Sequence, residues 1–350
     1  MEEYNMKQIG YCVAGLGVGK AHVAAAAANP HVGYLAICDI DEARLEAVGK
    51  QYPQAVRYNT FEAMLEDPNI DIVSVALPSG IHAEYAVKAL EAGKNVLCEK
   101  PIDTTVEKAL RIEEARIRTG KKVGVIFQNR NIPVIRETKK ALENGALGKL
   151  ILGTFSVKWY RDQPYYDAGG WRGTWAMDGG GSLMNQAVHT VDLMQWLMGD
   201  VESVQGIYTV ANHNIETEDL TASLIRFKNG ATATFVSTTC CNPDRGTFLQ
   251  IYGADGCIEL RGDTIDAWKV KGITPEEEAA MREKYADGGA AAVAADPTLV
   301  TGHASQVNDM VEAVLQDRDP QVCPMEAIKA VRIINAVYES SRTGQVIRFE

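Results

Sequence analysis

No apolar run in this chain is long enough to span a bilayer, and no block of Lys and Arg interrupts its acidic balance. The first absence removes any membrane helix from the expected fold. The second, with a net charge of -11, argues against nucleic acid or an anionic membrane as the main partner and favours solubility. Cysteine is sparse and unpatterned: the seven residues are an odd number with no C-x-x-C spacing, which supports neither a zinc knuckle nor a disulfide framework. Cys12, Cys38 and Cys98 lie in apolar runs and read as small buried hydrophobes, whereas strand alternation would point Cys240 and Cys241 to opposite faces. Met1-Glu2-Glu3-Tyr4-Asn5 is acidic and lacks the apolar core of a signal peptide, so the expected compartment is the cytoplasm. No internal repeat is visible.

What is present is globular. At 350 residues, 46% hydrophobic and 23% charged, the chain is long enough for two domains. Up to about residue 125, short apolar runs alternate with helical patterns, the signature of a parallel sheet. Strands are expected at Ile9 to Ala14, Tyr34 to Cys38, Val56 to Tyr58, Ile72 to Leu77, Val96 to Cys98 and Val123 to Phe127. Asp41 is placed to cap one helix, Thr104-Thr105-Val106-Glu107 has the form of a capping box, and Gly93 and Gly120 suit helix ends. After Phe127 the rhythm changes to β-branched and aromatic runs from Ile151 to Leu260 with hairpin turns such as Asn229-Gly230. The expected fold is an α/β Rossmann dinucleotide-binding domain over residues 1–128, followed by an α+β domain over residues 129–350 with a large, mainly antiparallel sheet. A short helix and a mobile insert are expected from Thr274 to the alanines near Ala290. One face of the second sheet has no obvious cover, which suggests pairing of subunits into a homodimer or homotetramer.

Chemistry concentrates in four places. Gly15-Leu16-Gly17-Val18-Gly19 follows the first strand and opens a helix, so backbone can approach a pyrophosphate at a helix N-terminus; the third glycine arrives one residue early for G-x-G-x-x-G. Asp39 ends the second strand, where a carboxylate accepts hydrogen bonds from the adenosine ribose and repels a 2′-phosphate, favouring NAD over NADP; Arg44 is the one residue nearby that weakens this inference. Pro78, Ser79 and His82 follow the fourth strand: Pro78 can fix an extended loop under the cofactor, Ser79 can cap the next helix, and His82 is either a cofactor-side donor or structural. Glu99-Lys100-Pro101 follows the fifth, at the sheet edge where such folds bind ligands.

The fourth place is Trp171-Arg172 through Gly179-Gly180-Gly181 to Trp196. A helical pattern from Ser182 puts Asn185, His189, Asp192 and Trp196 on one stripe, with Gln186 beside them. Trp159, Tyr160, Tyr165, Tyr166, Trp171 and Trp175 either stack on sugar or cyclitol faces or form core, while Arg161 and Arg172 supply donors. No metal is expected: His189 with Asp192 lacks a third ligand, and His213 with Glu216 is no better.

In combination, the glycine turn, Asp39, Pro78 with His82, the run Ala92 to Pro101 and the segment Gly179 to Asp192 resemble the glucose-fructose oxidoreductase, inositol dehydrogenase and rhizopine-catabolism (Gfo/Idh/MocA) family. The similarity runs from about Gln8 to Asp266 and resumes in the final helices. It implies NAD-dependent, reversible oxidation of a secondary alcohol on a sugar, sugar derivative or cyclitol. Lys100 and His189 would be catalytic, with Asn185, Gln186, Trp171, Arg172 and Tyr160 at the substrate and the glycine turn, Asp39, Pro78, Ser79, His82, Glu99 and Lys100 at the cofactor. The inositol dehydrogenase branch has Asp where this chain has Asn185, so Lys100 and His189 would handle proton and charge between them. Two other readings follow from the same resemblance: a glycosidase that oxidises its sugar transiently with bound NAD, and a sensing protein that keeps the fold without the chemistry.

Overall fold

The computed structural model describes residues 8–290, 293 and 300–349. The chain divides into two compact units, Met1–Gln128 with Gly302–Ile328 and Asn129–Thr301 with Lys329–Glu350.

In the first unit, β1 (Ile9–Ala14), β2 (Val32–Cys38), β3 (Val56–Tyr58), β4 (Ile72–Val75), β5 (Asn95–Cys98) and β6 (Val123–Val125) form one sheet in the order β3-β2-β1-β4-β5-β6. All its pairings are parallel. Every residue of β1 and β4 is buried, as expected of strands covered on both faces. The strand order reverses between β1 and β4, and the carboxyl ends there are where such a sheet opens a ligand crevice. The crossovers are α1 (Lys20–Ala28), α2 (Glu42–Gln51), α3 (Phe61–Leu65), α4 (His82–Glu91) and α5 (Val106–Thr119).

Two helix starts differ from the sequence reading, and one residue explains both. Asp103 is fully buried and accepts the Ala83 N–H at the start of α4 (2.8 Å) through Oδ2, so Ser79 does not cap that helix and sits in a short 3-10 turn, Ser79–Ile81. Its Oδ1 accepts the Thr104 N–H and hydroxyl, which holds Thr104 outside the next helix. Thr105 becomes the cap of α5, accepting the Lys108 N–H, and no capping box forms with Glu107.

The second unit contains α6 (Pro133–Glu143), β7 (Leu150–Lys158), α7 (Gln163–Asp167), α8 (Val188–Met198), β8 (Val201–Thr209), β9 (Leu220–Phe227), β10 (Thr232–Thr238), β11 (Gly246–Gly253), β12 (Gly256–Arg261), β13 (Thr264–Lys269) and α9 (Pro275–Lys284). With β14 (Ile347–Arg348) the strands order as β13-β12-β11-β7-β10-β9-β8-β14. All pairs are antiparallel except β7 with β10. That exception follows from connection length: β10 returns to β7 only after two helices and two strands, long enough for a parallel register. β13 and β14 were not anticipated from sequence. Ile151, Ile207 and Leu224, on β7, β8 and β9, are exposed. The helix expected near Thr274 is α9, closed by a capping box between Thr274 and Glu277. The alanines that close the expected insert reach residues 291–292 and 294–295, which lie outside the described residues, as do 296–299.

Two further helices follow, α10 (Gly302–Leu315) and α11 (Pro324–Thr343). The sequence reading put everything after residue 128 in the second domain, yet Gly302–Ile328 packs in the first unit. Val307, Met310 and Val311 of α10 are fully buried in the same core as Ile9, Tyr11, Leu35 and Leu97. Each such side chain contributes about 1.5–3 kcal/mol, enough to return a distant segment to the sheet it covers. No helix among the described residues is long and apolar enough to cross a membrane.

Candidate active site

The turn after β1 separates its three glycines by task. Gly15 has φ +94°, and a Cβ there would meet the Ala76 carbonyl oxygen at 2.3 Å; one on Gly19 would meet the Gly15 carbonyl oxygen at 2.0 Å. Both are demanded by the fold. Gly17 is different, since a Cβ would meet nothing within 4 Å. The missing side chain leaves an open cradle above the N-terminus of α1, where N–H groups and the helix dipole favour an anion. Leu16 is buried and Val18 exposed, so only their backbones can serve a ligand there. The carboxylate of Asp39 is buried and ties the turn to the second strand: Oδ2 accepts the Leu16 N–H and Oδ1 the Asp41 N–H, both at 2.8 Å. Each oxygen keeps a lone pair for a further donor. Arg44 lies with its Nη2 3.6 Å from Asp39 and its Nε 2.9 Å from Asp41.

Lys100 is half-buried at the carboxyl end of β5, and its main chain is anchored from below. Its N–H donates to Oε2 of the buried Glu99 (3.0 Å), whose Oε1 lies 2.9 Å from His22 Nε2 and 3.2 Å from His303 Nε2. A carboxylate can only accept, so both ring nitrogens point N–H groups at it. His22 Nδ1 then accepts from Ser74 Oγ (2.9 Å), which pairs in turn with the Tyr11 hydroxyl (2.7 Å). Burial alone would raise the Glu99 carboxyl, but the hydrogen bonds from His22 and His303 and the nearby charge of Lys100 hold it well below the usual carboxylate range. Glu99 therefore faces inward, supporting Lys100 rather than touching a ligand. His82 is another correction. Its ring is buried with Nδ1 2.7 Å from the Pro101 carbonyl oxygen and Nε2 2.7 Å from that of Leu77, so it braces the loops after β4 and β5 and presents no free nitrogen to a cofactor. Pro78 is extended (φ -58°, ψ 141°), and Ser79 is buried.

In the second unit the helical stripe is interrupted. Ser182–Gln186 is a single π-helical turn, and α8 begins at Val188, so Asn185 and Gln186 sit on the wide turn and His189 on the first regular one. This turn is pinned by Glu218, fully buried, which accepts the N–H groups of Gly181 (3.0 Å), Ser182 (2.7 Å) and Leu183 (3.1 Å) and the Tyr338 hydroxyl (2.6 Å). Burial pushes the Glu218 carboxyl up despite these four donors. Asn185 Nδ2 donates to Oδ1 of the buried Asp178, whose Oδ2 accepts the Gly173 N–H (2.8 Å). Gln186 Nε2 donates to Asn185 Oδ1 and to the Tyr165 hydroxyl, both at 2.8 Å, and its Oε1 accepts from Arg161 Nη2 (2.9 Å). The Arg172 guanidinium lies 5.2 Å from the Trp171 ring. Tyr160 is exposed and bridges to Cys240. Asp192 does not join this group: it is buried against Arg130, and Trp196 packs under Arg130 and Lys139.

Sequence reasoning missed His303, Glu218 and Asp178. His303 and Glu218 carry no local signal, because each acts on a segment more than thirty residues away. Asp178 had one, an acid directly before the glycine turn. Among the described residues, two groups have ligand atoms mutually within 4.8 Å, His22 with Glu99 and His303, and His213 with Asp219 and Cys240. His213 joins Asp219 rather than Glu216, which accepts the Trp175 N–H instead. In the second group His213 is already used at both nitrogens, by Asp219 (2.9 Å) and the Arg161 carbonyl (2.8 Å), and burial pushes the Cys240 thiol up to about 11.

A parallel sheet in this strand order, with a glycine turn after its first strand and a carboxylate at the end of its second, defines a dinucleotide-binding protein. Comparison with known proteins makes that specific. Residues 9–127 match the model of an oxidoreductase family with an NAD-binding Rossmann fold, and residues 135–259 that of the GFO/IDH/MocA C-terminal domain. The WlbA dehydrogenase from Bordetella pertussis, solved in complex with NADH and UDP-GlcNAcA, is 30% identical with a TM-score of 0.90, covering 98% of each chain. Levoglucosan dehydrogenase of Pseudarthrobacter phenanthrenivorans is 27% identical over 77% of this chain and 76% of its own. The NADP-dependent scyllo-inositol 2-dehydrogenase of Bacillus subtilis is 26% identical over 90% and 88%. The chain belongs to the Gfo/Idh/MocA family of oxidoreductases, and its cofactor is NAD. The residues present fit that group: the open cradle at Gly17 admits a pyrophosphate, and Asp39 retains acceptor capacity for ribose hydroxyls.

Proposed function

We propose that the protein reversibly oxidises a secondary hydroxyl on a sugar, sugar derivative or cyclitol. The observation that carries this reading is the anchoring of Lys100 at the carboxyl edge of the parallel sheet by a buried, histidine-flanked carboxylate. Relatives named for action on levoglucosan and scyllo-inositol support the substrate class, as does a structural neighbour that binds UDP-GlcNAcA. NAD, when bound, supplies the hydride acceptor. His189 takes the hydroxyl proton, since imidazole, with an ordinary pKa of ~6.5, is suited to act as a base near neutrality. The Lys100 ammonium stabilises the charge that develops on the substrate oxygen. Asn185, held between Asp178 and Gln186, orients the substrate without accepting a proton. Trp171, Arg172 and Tyr160 complete the substrate contacts, and a homodimer or homotetramer through the second sheet belongs to the same reading.

In the test, Lys100→Ala and His189→Ala each abolish NADH formation while NADH still binds by fluorescence titration. Full activity in both variants removes the assignment. Screening sugars, nucleotide sugars, glycosides and inositols with product chromatography adds a second check, in which bond cleavage without net NADH replaces the dehydrogenase with a redox-assisted glycosidase.

A further inference from the structure

Arg161 and Arg172 are set apart from the other arginines among the described residues. Every other one is either exposed or paired with a carboxylate, whereas these two are half-buried with no acid within 4.0 Å. Scarcity does not explain it in a chain of net charge -11. The nearby acids are engaged elsewhere: Asp162 caps Tyr165, Asp167 accepts from Gln163, Glu216 takes the Trp175 N–H, and Asp178 holds Asn185. A guanidinium stays charged at any accessible pH, and its fork of donors matches the oxygens of an anion better than those of a neutral acceptor.

The two cations share one ring. Arg161 lies 5.4 Å from the Tyr165 centroid and Arg172 4.7 Å from it, with Trp159 and Trp171 each 5.2 Å from their own arginine. Their hydrogen bonds go to neutral acceptors only. Arg161 donates to the Tyr160 carbonyl (2.8 Å) and Gln186 Oε1 (2.9 Å), and Arg172 donates to the Ala168 carbonyl (2.9 Å) through Nη1, leaving its Nε and Nη2 donors over. Gln186 joins Arg161 to Asn185, and lies three residues of chain before His189.

We propose that Arg161 and Arg172 form an anion subsite, so that the substrate is an acidic sugar derivative carrying a carboxylate or a phosphoryl group. The inference rests on the dehydrogenase reading for its place beside the reacting hydroxyl. Aromatic rings flanking two guanidinium groups suit a sugar face with a charged substituent, and the planar fork matches carboxylate and phosphate oxygens.

The experiment compares glucose, the neutral reference, with glucuronate, glucose 6-phosphate, UDP-glucose and UDP-glucuronate, by NADH formation and by calorimetric binding to the NADH-loaded protein. Wild type prefers a charged member over its neutral counterpart by about tenfold or more in kcat/KM, in line with a charge-assisted hydrogen-bond pair. The glucuronate arms identify a carboxylate, and glucose 6-phosphate with UDP-glucose a phosphoryl group. Arg161→Met and Arg172→Met, which keep the side-chain stem, raise KM for the charged compound about tenfold more than for its neutral counterpart, with kcat little changed; Arg172→Lys restores part of the loss. Equal use of charged and neutral members by wild type overturns the proposal without any variant. So do arginine variants that lower both alike, and so does failure of every charged compound to bind. If charged compounds bind in an arginine-dependent manner but none yields NADH, the subsite stands and the dehydrogenase reading falls.

Discussion

Gly17 and Gly19 are two residues apart and predict opposite outcomes on substitution. A Cβ on Gly19 runs into the Gly15 carbonyl oxygen, so Gly19→Ala strains the turn itself. Gly17→Ala meets no protein atom and should leave the melting temperature within about 2 °C of wild type, since surface changes without lost contacts usually cost under about 0.5 kcal/mol. It should weaken NADH binding about tenfold, or about 1.4 kcal/mol, because the added methyl occupies the approach to the pyrophosphate. Fluorescence titration and a thermal melt read the two effects separately, and unchanged affinity would remove the cradle from the cofactor site. At this scale the sequence identified the glycines as a set, but only neighbours in space distinguish a glycine demanded by the fold from one demanded by a ligand. His82 and Glu99 teach the same lesson from the other side. Both stand in motif positions that suggest a ligand, and both turn their polar atoms inward to protein partners.

Among the elements, the π-helical turn Ser182–Gln186 depends on one remote side chain. Glu218 accepts the N–H groups of Ser182 and Leu183 in the turn, that of Gly181 just before it, and the Tyr338 hydroxyl. Glu218→Ala leaves the Gly181 and Leu183 N–H groups and the Tyr338 hydroxyl without their carboxylate acceptor, while the Ser182 N–H keeps the main-chain carbonyl of residue 218, and at about 1–3 kcal/mol for each unsatisfied group the total loss should be at least about 3 kcal/mol in urea unfolding. Glu218→Gln keeps one acceptor oxygen and should lose less. If the alanine variant unfolds like wild type, the turn is held by something else. The central strands of the first unit were legible because parallel strands covered on both faces are written as continuous apolar runs, and β1 falls where the sequence placed it. The start of α5 was not legible, because its position is set by Asp103 acting across to α4, a contact that propensity cannot contain.

For the whole molecule, the Glu99 network links acid stability to the anchoring of Lys100. A glutamate in the unfolded chain titrates near ~4.3, and the folded carboxyl lies well below. Between those two values the unfolded chain binds more protons, so the stabilisation is complete above ~4.3 and is lost as pH falls toward the folded value. Denaturant unfolding from about pH 6 to pH 3 should therefore show a shallower acid limb for Glu99→Gln than for wild type; identical limbs would mean that Glu99 is not held charged by His22 and His303. Sequence by itself determined the class of each sheet, the dinucleotide chemistry of the first unit and the identity of Lys100 and His189 as candidates, because apolar periodicity, turn residues and motif order are local and survive without coordinates. Tertiary structure alone decided that Gly302–Ile328 returns to the first unit, that β7 and β10 run parallel, that His303 completes the support of Glu99, and that Arg161 and Arg172 lack an acid. Each of these is a pairing between distant segments, fixed by buried area or by the need to satisfy a charge, and neither quantity is written in any local stretch of chain.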